Sequence, residues 1–126
     1  MFENADLIHA YDRAEAIRDG VLIDVSGPAR EAGFKIQVAL TAAAWAECVA
    51  VPPSVQGQDE AGRLWDVLWL LACAIRTAAD GPEVQFALHV RKDNRERTPP
   101  LVRLKAICGP GDQGEPVLTV LLPEED

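Results

Sequence analysis

The spacing of hydrophobic residues changes along this chain. In the first two-thirds they recur every three or four residues, as on one face of a helix; in the last third they alternate with polar residues, as on a half-buried strand. The helical spacing, with the capping residues before it, predicts three helices, at about 12–19, 41–49 and 59–79. Two apolar segments, 21–25 and 34–40, predict short strands. The segment between them predicts a turn, with one helical turn from Pro28.

The alternating segments predict the architecture. Three strands are expected in the last third, at about 84–90, 102–106 and 118–122. Their connections are too short for parallel crossovers, which need about a dozen residues, so they should form an antiparallel meander. We expect one α+β domain over residues 1–126, with N-terminal helices and short strands followed by a three- to five-stranded antiparallel sheet. One of the two early strands is expected to join this sheet, which should pack on the central helix that carries the tryptophans.

That central helix is apolar on nearly every side. Its twelve central residues include one polar side chain, Asp66. Such a helix is either buried on several sides or part of an interface with a partner. We expect Trp65 and Trp69 to be largely buried, and Trp65, Asp66 and Trp69 are the candidates for a small-molecule pocket. Asp66 is interpreted first as structural, either paired with Arg63 or another cation or lying on an exposed ridge, and second as a catalytic acid.

Three glycines near the C-terminus reproduce the G-x-G-x-x-G spacing of a dinucleotide-binding loop: Gly109, Gly111 and Gly114. Such a loop needs a helix directly after it, because the helix N-terminus holds the phosphate. Here Glu115 and Pro116 follow, and they lead into a segment with the pattern of a strand. The glycines are therefore interpreted as a tight connection between two strands, without a nucleotide.

Motifs for catalysis or metal binding are missing from the sequence. The histidines are far apart, the three cysteines form no C-x-x-C pair, and neither G-x-S-x-G nor H-E-x-x-H occurs. We expect no cofactor, no metal and no catalytic residue, with a Cys–His nucleophile pair as the weaker alternative. The N-terminal segment lacks the pattern of a secretory signal, and no apolar run is long enough for a membrane span. These two observations predict a cytoplasmic protein.

The charge is distributed unevenly. A net charge of −8 argues against general binding to nucleic acids or to anionic membranes. Residues 88–105, here called the basic arm, carry six cations and two anions, a net +4, which leaves −12 for the rest. The candidate partner-binding residues are the cations of this arm: Arg91, Lys92, Arg95, Arg97, Arg103 and Lys105. Either the arm docks an acidic partner or a nucleic acid, or its cations protect a sheet edge and the acidic remainder attracts a basic partner.

Four stretches that together cover nearly the whole chain carry a resemblance. They are AYDRAEAIRDGVLIDVS, AREAGFKIQVALTAAAWAECV, DEAGRLWDVLWLL and GPGDQGEPVLTVLLPEED. The chain resembles an uncharacterised family of small acidic bacterial proteins carried on plasmids and integrative elements. The resemblance implies a setting on mobile DNA and assigns no role to any residue.

Three functions are compatible with these observations. By analogy with small acidic proteins of mobile elements, we expect first a non-enzymatic interaction protein with a protein partner. Its role would be to inhibit a host defence complex or to mimic the charge of DNA. The alternatives are a small-ligand-binding or enzymatic domain with a pocket near Trp65, Asp66 and Trp69, and a structural homodimer built on the apolar helix.

Overall fold

The structure, a computed structural model, describes residues 12–78, 80–94 and 97–125. The helices in this part of the chain are α1 (Arg13–Arg18), α2 (Ser26–Glu31), α3 (Ala42–Cys48) and α4 (Glu60–Thr77). The strands are β1 (Leu22–Asp24), β2 (Gln37–Thr41), β3 (Glu83–His89), β4 (Leu101–Pro110) and β5 (Pro116–Leu121). The expected helices correspond to α1, α3 and α4, and α2 occupies the segment expected to be a turn.

The starts of the three expected helices follow from their capping side chains. The carboxylate of Asp12 accepts a hydrogen bond from Glu15 N, the hydroxyl of Thr41 accepts one from Ala44 N, and Asp59 accepts one from Gly62 N. Each side chain satisfies a backbone N–H that has no partner within its helix. A local sequence signal therefore sets where each of these helices begins.

The sheet has five strands in the order β1-β2-β5-β4-β3. The expected meander of β3, β4 and β5 is confirmed, and both early strands join it, so the fold is α+β. The expected antiparallel sheet is in fact mixed, because β2 and β5 pair in parallel. The other strand pairs of the sheet are antiparallel. The β2–β5 pair joins strands far apart in the sequence, so the argument from short connections does not apply to it. β3 and β1 form the two edges.

One face of the sheet carries the main core. Its buried residues alternate along the strands and include Val38, Leu40, Leu104 and Val120. The helices α2, α3 and α4 contribute the other side of this core, and α4 packs mainly on the edge strand β3. The residues that α4 buries are Arg63, Leu64, Val67, Leu68 and Leu71. No helix in the described part of the chain is long and apolar enough to cross a membrane.

The opposite face of the sheet is covered by α1 near β5. Thr119 lies between the core residues Leu118 and Val120 on the strand, so its side chain points to this opposite face. Arg13 Nη1 donates to Thr119 Oγ1 at 2.7 Å, and Arg13 Nη2 donates to the carbonyl oxygen of Leu118 at 2.8 Å. These bonds hold α1 against β5.

Candidate functional site

The two tryptophans of α4 are half-exposed. Trp65 is 44% exposed and Trp69 is 51% exposed, so the expectation that both are largely buried is wrong. Each follows a buried leucine of the helix, Leu64 or Leu68, and successive residues of an α-helix point about 100° apart. The sheet covers the leucine stripe, and no helix or strand of the described residues covers the neighbouring stripe.

These tryptophans form part of a continuous exposed strip, here called the tryptophan ridge and defined as Trp65, Trp69 and Arg76. Trp65 and Trp69 are one helical turn apart, so their side chains are neighbours on the same face. The guanidinium carbon of Arg76 lies 5.9 Å from the centroid of a Trp69 ring, within range of a cation–π contact. Arg76 Nη2 also donates to Cys73 Sγ at 3.2 Å. The ridge is an ordered aromatic surface with a positive charge at one end.

A pocket of about 440 Å³ lies beside the ridge. It is formed by the N-terminal half of α4, the loop before it and the C-terminal end of β3. Of the expected pocket residues, Trp65 and Asp66 line it, and Trp69 does not. The structure adds five polar side chains that the sequence did not single out for a pocket: Gln58, Asp59, Arg63, His89 and Arg91.

Arg63 is the most unusual residue of this pocket. It is 7% exposed, and its Nε donates to the carbonyl oxygen of Cys48 at 3.2 Å. Its Nη2 donates to the carbonyl oxygen of Arg91 at 3.1 Å, while its buried Nη1 has no hydrogen-bond partner among the described residues. No carboxylate of the described residues forms an ion pair with it. Desolvation lowers the pKa of this guanidinium from its ordinary value, with a smaller opposing effect from Cys48. Arg63 therefore ties the last carbonyl of α3 to the end of β3 and keeps one donor unused.

Cys48 and His89 both line this pocket, which bears on the Cys–His alternative. Burial is the largest cause that raises the pKa of the Cys48 thiol, to about 11. A thiol of this pKa is protonated at neutral pH, whereas the nucleophile in cysteine catalysis is the thiolate. His89 Nδ1 lies 2.8 Å from the carbonyl oxygen of Pro99, so this nitrogen is the N–H donor of the ring. The arrangement does not favour a nucleophile pair.

Asp66 lies on the exposed side of the pocket. It makes no hydrogen bond or ion pair with a described residue, so the expected pairing with Arg63 is not found. The other structural interpretation, a position on the exposed ridge of the helix, agrees with the structure.

The cations of the basic arm are distributed over several places. Lys92 forms an ion pair with the carboxylate of Glu47, and its Nζ donates to the Glu47 carbonyl oxygen at 2.9 Å. Arg91 Nη1 donates to the carbonyl oxygen of Asp93 at 3.2 Å and lines the pocket. Arg97 is exposed in the hairpin connection, and Arg95 lies outside the described residues. The described cations of the arm therefore have different environments.

The remaining two cations of the arm lie on β4, an inner strand. Arg103 is exposed and Lys105 is partly buried, and their positions in the register place them on the face opposite the main core. The edge strand β3 contains no lysine or arginine between Glu83 and His89. The described cations of the arm therefore lie after β3 or on β4, and none lies within the edge strand itself.

The glycine loop connects β4 to β5, as expected. Gly114 has φ +80°, a conformation that favours glycine, and a strand rather than a helix follows it. The Asp112 carboxylate accepts hydrogen bonds from Arg13 N at 2.8 Å and from Ala14 N at 3.1 Å. These are the first two backbone N–H groups of α1, so the loop caps that helix. Within the described residues, no group of three or more His, Cys, Asp or Glu could hold a metal ion.

The comparisons with known proteins give a family. The sequence model of a family of unknown function, DUF6573, matches residues 1–126. The chain belongs to this family. No curated protein and no solved structure matches the chain. The resemblance to an uncharacterised family is therefore confirmed at the level of the family.

Two features of this DUF6573 member bear on what sequence reasoning could find. Arg63, Val67 and Leu71 are spaced four residues apart, so the helical pattern alone places an arginine in line with two core residues. A cation at such a position indicates a buried charge with a specific role, and this signal was missed. The position of His89 at the pocket carried no such signal, because it depends on how β3 meets α4.

Proposed function

We propose that this protein is a non-enzymatic interaction protein that binds a protein partner through the tryptophan ridge. The observation that supports this proposal is the exposure of Trp65 and Trp69 on adjacent turns of one helix. Tryptophan is enriched among the residues that contribute most to binding between proteins, and it loses little conformational entropy when a partner covers it. Half-exposed tryptophans side by side are costly to leave in water without a partner.

The helix under the ridge is suited to this role. The neighbouring stripe of α4 is packed into the core through Leu64 and Leu68, so the backbone that carries the tryptophans is held in place before binding. A surface that is ordered in advance loses less entropy on association. Arg76 adds a cation beside the aromatic rings, which favours a partner with both apolar and acidic groups.

The tryptophan ridge also helps to choose between the two specific roles considered, inhibition of a host defence complex and mimicry of DNA charge. A mimic of DNA charge would be expected to present carboxylates, whereas the ridge presents aromatic area. The ridge therefore favours contact with a protein complex, such as the inhibition of a host defence complex, over DNA mimicry. The mobile-element origin, which the resemblance of the four sequence stretches supports, and the cytoplasmic location both belong to the proposal.

The test is affinity capture from a lysate of the source bacterium, with quantitative mass spectrometry. The variant Trp65→Ala/Trp69→Ala should weaken capture of the specific partner by at least about thirtyfold, which is the effect of losing a single hot-spot residue worth about 2 kcal/mol. The matched control is Val21→Ala/Leu101→Ala, because these apolar residues are each 50% exposed and lie outside the ridge. A second control, Arg97→Glu/Arg103→Glu, reports on the basic arm.

The control variants should capture the partner as the wild type does. If the tryptophan variant retains capture and the arm variant loses it, recognition takes place at the arm and the proposal is wrong. Circular dichroism and thermal unfolding of every variant separate a binding defect from a folding defect.

The pocket supports a second candidate function, the binding of a small carboxylate-bearing molecule. The supporting observation is the buried guanidinium of Arg63, which has no carboxylate partner in the described chain and an unpaired Nη1. Trp65 and Leu88 supply apolar walls for such a ligand, and Arg91 supplies a second cation. Pockets that combine apolar walls with a few polar groups are the usual form of small-molecule sites.

Benzoate is a suitable probe for this second candidate, with benzyl alcohol as the uncharged control. In a two-dimensional NMR titration, benzoate should shift the indole N–H signal of Trp65 and the backbone signals of Arg63 and His89. Benzyl alcohol should leave these signals in place, since it lacks the carboxylate. Equal shifts with both compounds, or none with either, would rule out carboxylate recognition.

A further inference from the structure

The edge strand β3 has a row of backbone groups that face away from the sheet. Val90 N donates to the carbonyl oxygen of Pro100 at 2.9 Å, and Cys108 N donates to that of Pro82 at 2.7 Å. Hydrogen-bonded and non-hydrogen-bonded pairs alternate in an antiparallel ladder, so even-numbered residues from 82 to 90 bond to β4. The N–H and C=O groups of the odd-numbered residues point outward, and no described residue pairs with them. These residues are Glu83, Gln85, Ala87 and His89.

This edge lacks the usual protection against strand addition. Natural edges are blocked by proline, bulges, lysine or very short length. β3 is seven residues long and contains no proline, glycine, lysine or arginine. Its register with β4 runs without interruption from Glu83↔Ile107 to His89↔Leu101, so it has no bulge. The edge is therefore competent to accept another strand.

We propose that two copies of this chain pair through β3, antiparallel, about a two-fold axis that passes Phe86. The two five-stranded sheets become one continuous sheet of ten strands. In this register odd-numbered residues face odd-numbered residues, as the outward backbone groups require, and all seven residues of β3 find a partner. Phe86 faces Phe86 of the other copy in a non-hydrogen-bonded pair, where opposing side chains lie closest.

The charges of β3 favour a second copy as the occupant. Glu83 is at one end of the strand and His89 is at the other, with Arg91 and Lys92 beyond it. An antiparallel pair brings the acidic end of each strand, with Glu83, next to the basic end of the other, where Arg91 is its diagonal neighbour, so the strand is complementary to itself. The copies each carry −8, but the cations Arg91 and Lys92 directly follow this edge strand, which lowers the repulsion where they meet.

The geometry of such a dimer has a consequence for binding. A two-fold axis that relates antiparallel neighbouring strands is perpendicular to the sheet, so both copies of α4 lie on the same side. The two tryptophan ridges then face the same direction. A partner with two binding sites would be bound more tightly by the dimer than by the monomer. The pairing itself does not depend on what the ridge binds.

The first test is the oligomeric state of the full chain, measured by sedimentation velocity over a range of concentrations. The wild type should be a dimer. Ala87→Pro should be a folded monomer, since it removes an outward N–H and leaves the bonds to β4 intact. Leu22→Pro is the matched control on the other edge. Val25 N donates to the carbonyl oxygen of Val38, so Leu22 N–H points outward from β1 by the same alternation. This variant should remain a dimer.

A charge exchange tests the register. Glu83→Arg and His89→Glu should each weaken the dimer roughly tenfold, because each change enters twice about the two-fold axis. The double variant Glu83→Arg/His89→Glu should restore dimerisation, since opposite charges then face each other again at both ends of the paired strands. A monomeric wild type, a dimeric Ala87→Pro variant or a double variant no better than the singles would each overturn the proposal. A monomer whose β3 edge binds an extended peptide of another protein would also overturn it, in favour of a foreign strand.

Discussion

Leu68 and Trp69 are adjacent residues of α4, and replacing each with alanine tests the described position of the helix. Leu68 is fully buried against the sheet, and Trp69 is 51% exposed. Leu68→Ala removes buried methyl groups and leaves a cavity, which should cost about 3 kcal/mol of unfolding free energy. If the helix is oriented as described, replacing the larger side chain, Trp69, should lower the free energy of unfolding less than replacing the smaller one, Leu68.

The expected cost at Trp69 follows from its exposure. Full burial would make Trp→Ala cost about 3–5 kcal/mol, and half-exposure reduces this to about 2 kcal/mol. Alanine has the higher helix propensity by about 0.5 kcal/mol, which leaves a net cost of about 1–1.5 kcal/mol. This net cost already includes the loss of the cation–π contact with Arg76, since an exposed contact of this kind is worth about 0.5–1 kcal/mol.

Urea denaturation of both variants and the wild type measures these values, with equal m-values as the check on two-state behaviour. For a chain of this length, 1 kcal/mol corresponds to about 3–5 °C in Tm. The Tm of Leu68→Ala should therefore fall by about twice as much as that of Trp69→Ala, or more. A Trp69→Ala variant that loses as much stability as Leu68→Ala would show that the tryptophan is buried and would remove the basis of the tryptophan ridge.

Three further predictions concern the glycine loop and the cysteines. Asp112→Ala should destabilise the protein by about 1–2 kcal/mol and speed the hydrogen exchange of the Arg13 and Ala14 amides, because the cap of α1 is lost; unchanged exchange would contradict this. Gly114→Ala should lower the free energy of unfolding by about 1–2 kcal/mol, because a φ of +80° strains any residue other than glycine. ATP, GTP and NAD should show no saturable binding to the wild type by calorimetry. Saturable binding that is lost in Gly111→Ala would restore the nucleotide hypothesis. Cys48 should react with a thiol reagent far more slowly than Cys73 or Cys108. Equal reactivity of the three thiols in the folded protein would contradict the burial of Cys48. Since folding raises the pKa of Cys48 from 9.0 to about 11, the contribution of this thiol to stability is complete below pH 9 and is lost as the pH rises toward 11.

The sequence by itself determined the local features of this protein. The caps at Asp12, Thr41 and Asp59 set the starts of three helices, because each depends on a side chain and a backbone N–H only three residues away. The alternation of the last third set three strands and their antiparallel order, since short connections leave no other arrangement. The glycine loop was identified as a connection because Glu115 and Pro116 stand where a helix would have to start.

Tertiary structure alone decided the features on which the functional proposals rest. The pattern shows that α4 has an apolar stripe at Leu64 and Leu68 and another at Trp65 and Trp69, but not which of them the sheet covers. The parallel pairing of β2 with β5 also depends on contacts between residues far apart in the chain, and it leaves β3 at the edge. Burial depends on the layers that surround an element, whereas periodicity describes only the element itself. The exposure of the tryptophans and the free edge of β3 therefore follow from the packing of the whole fold.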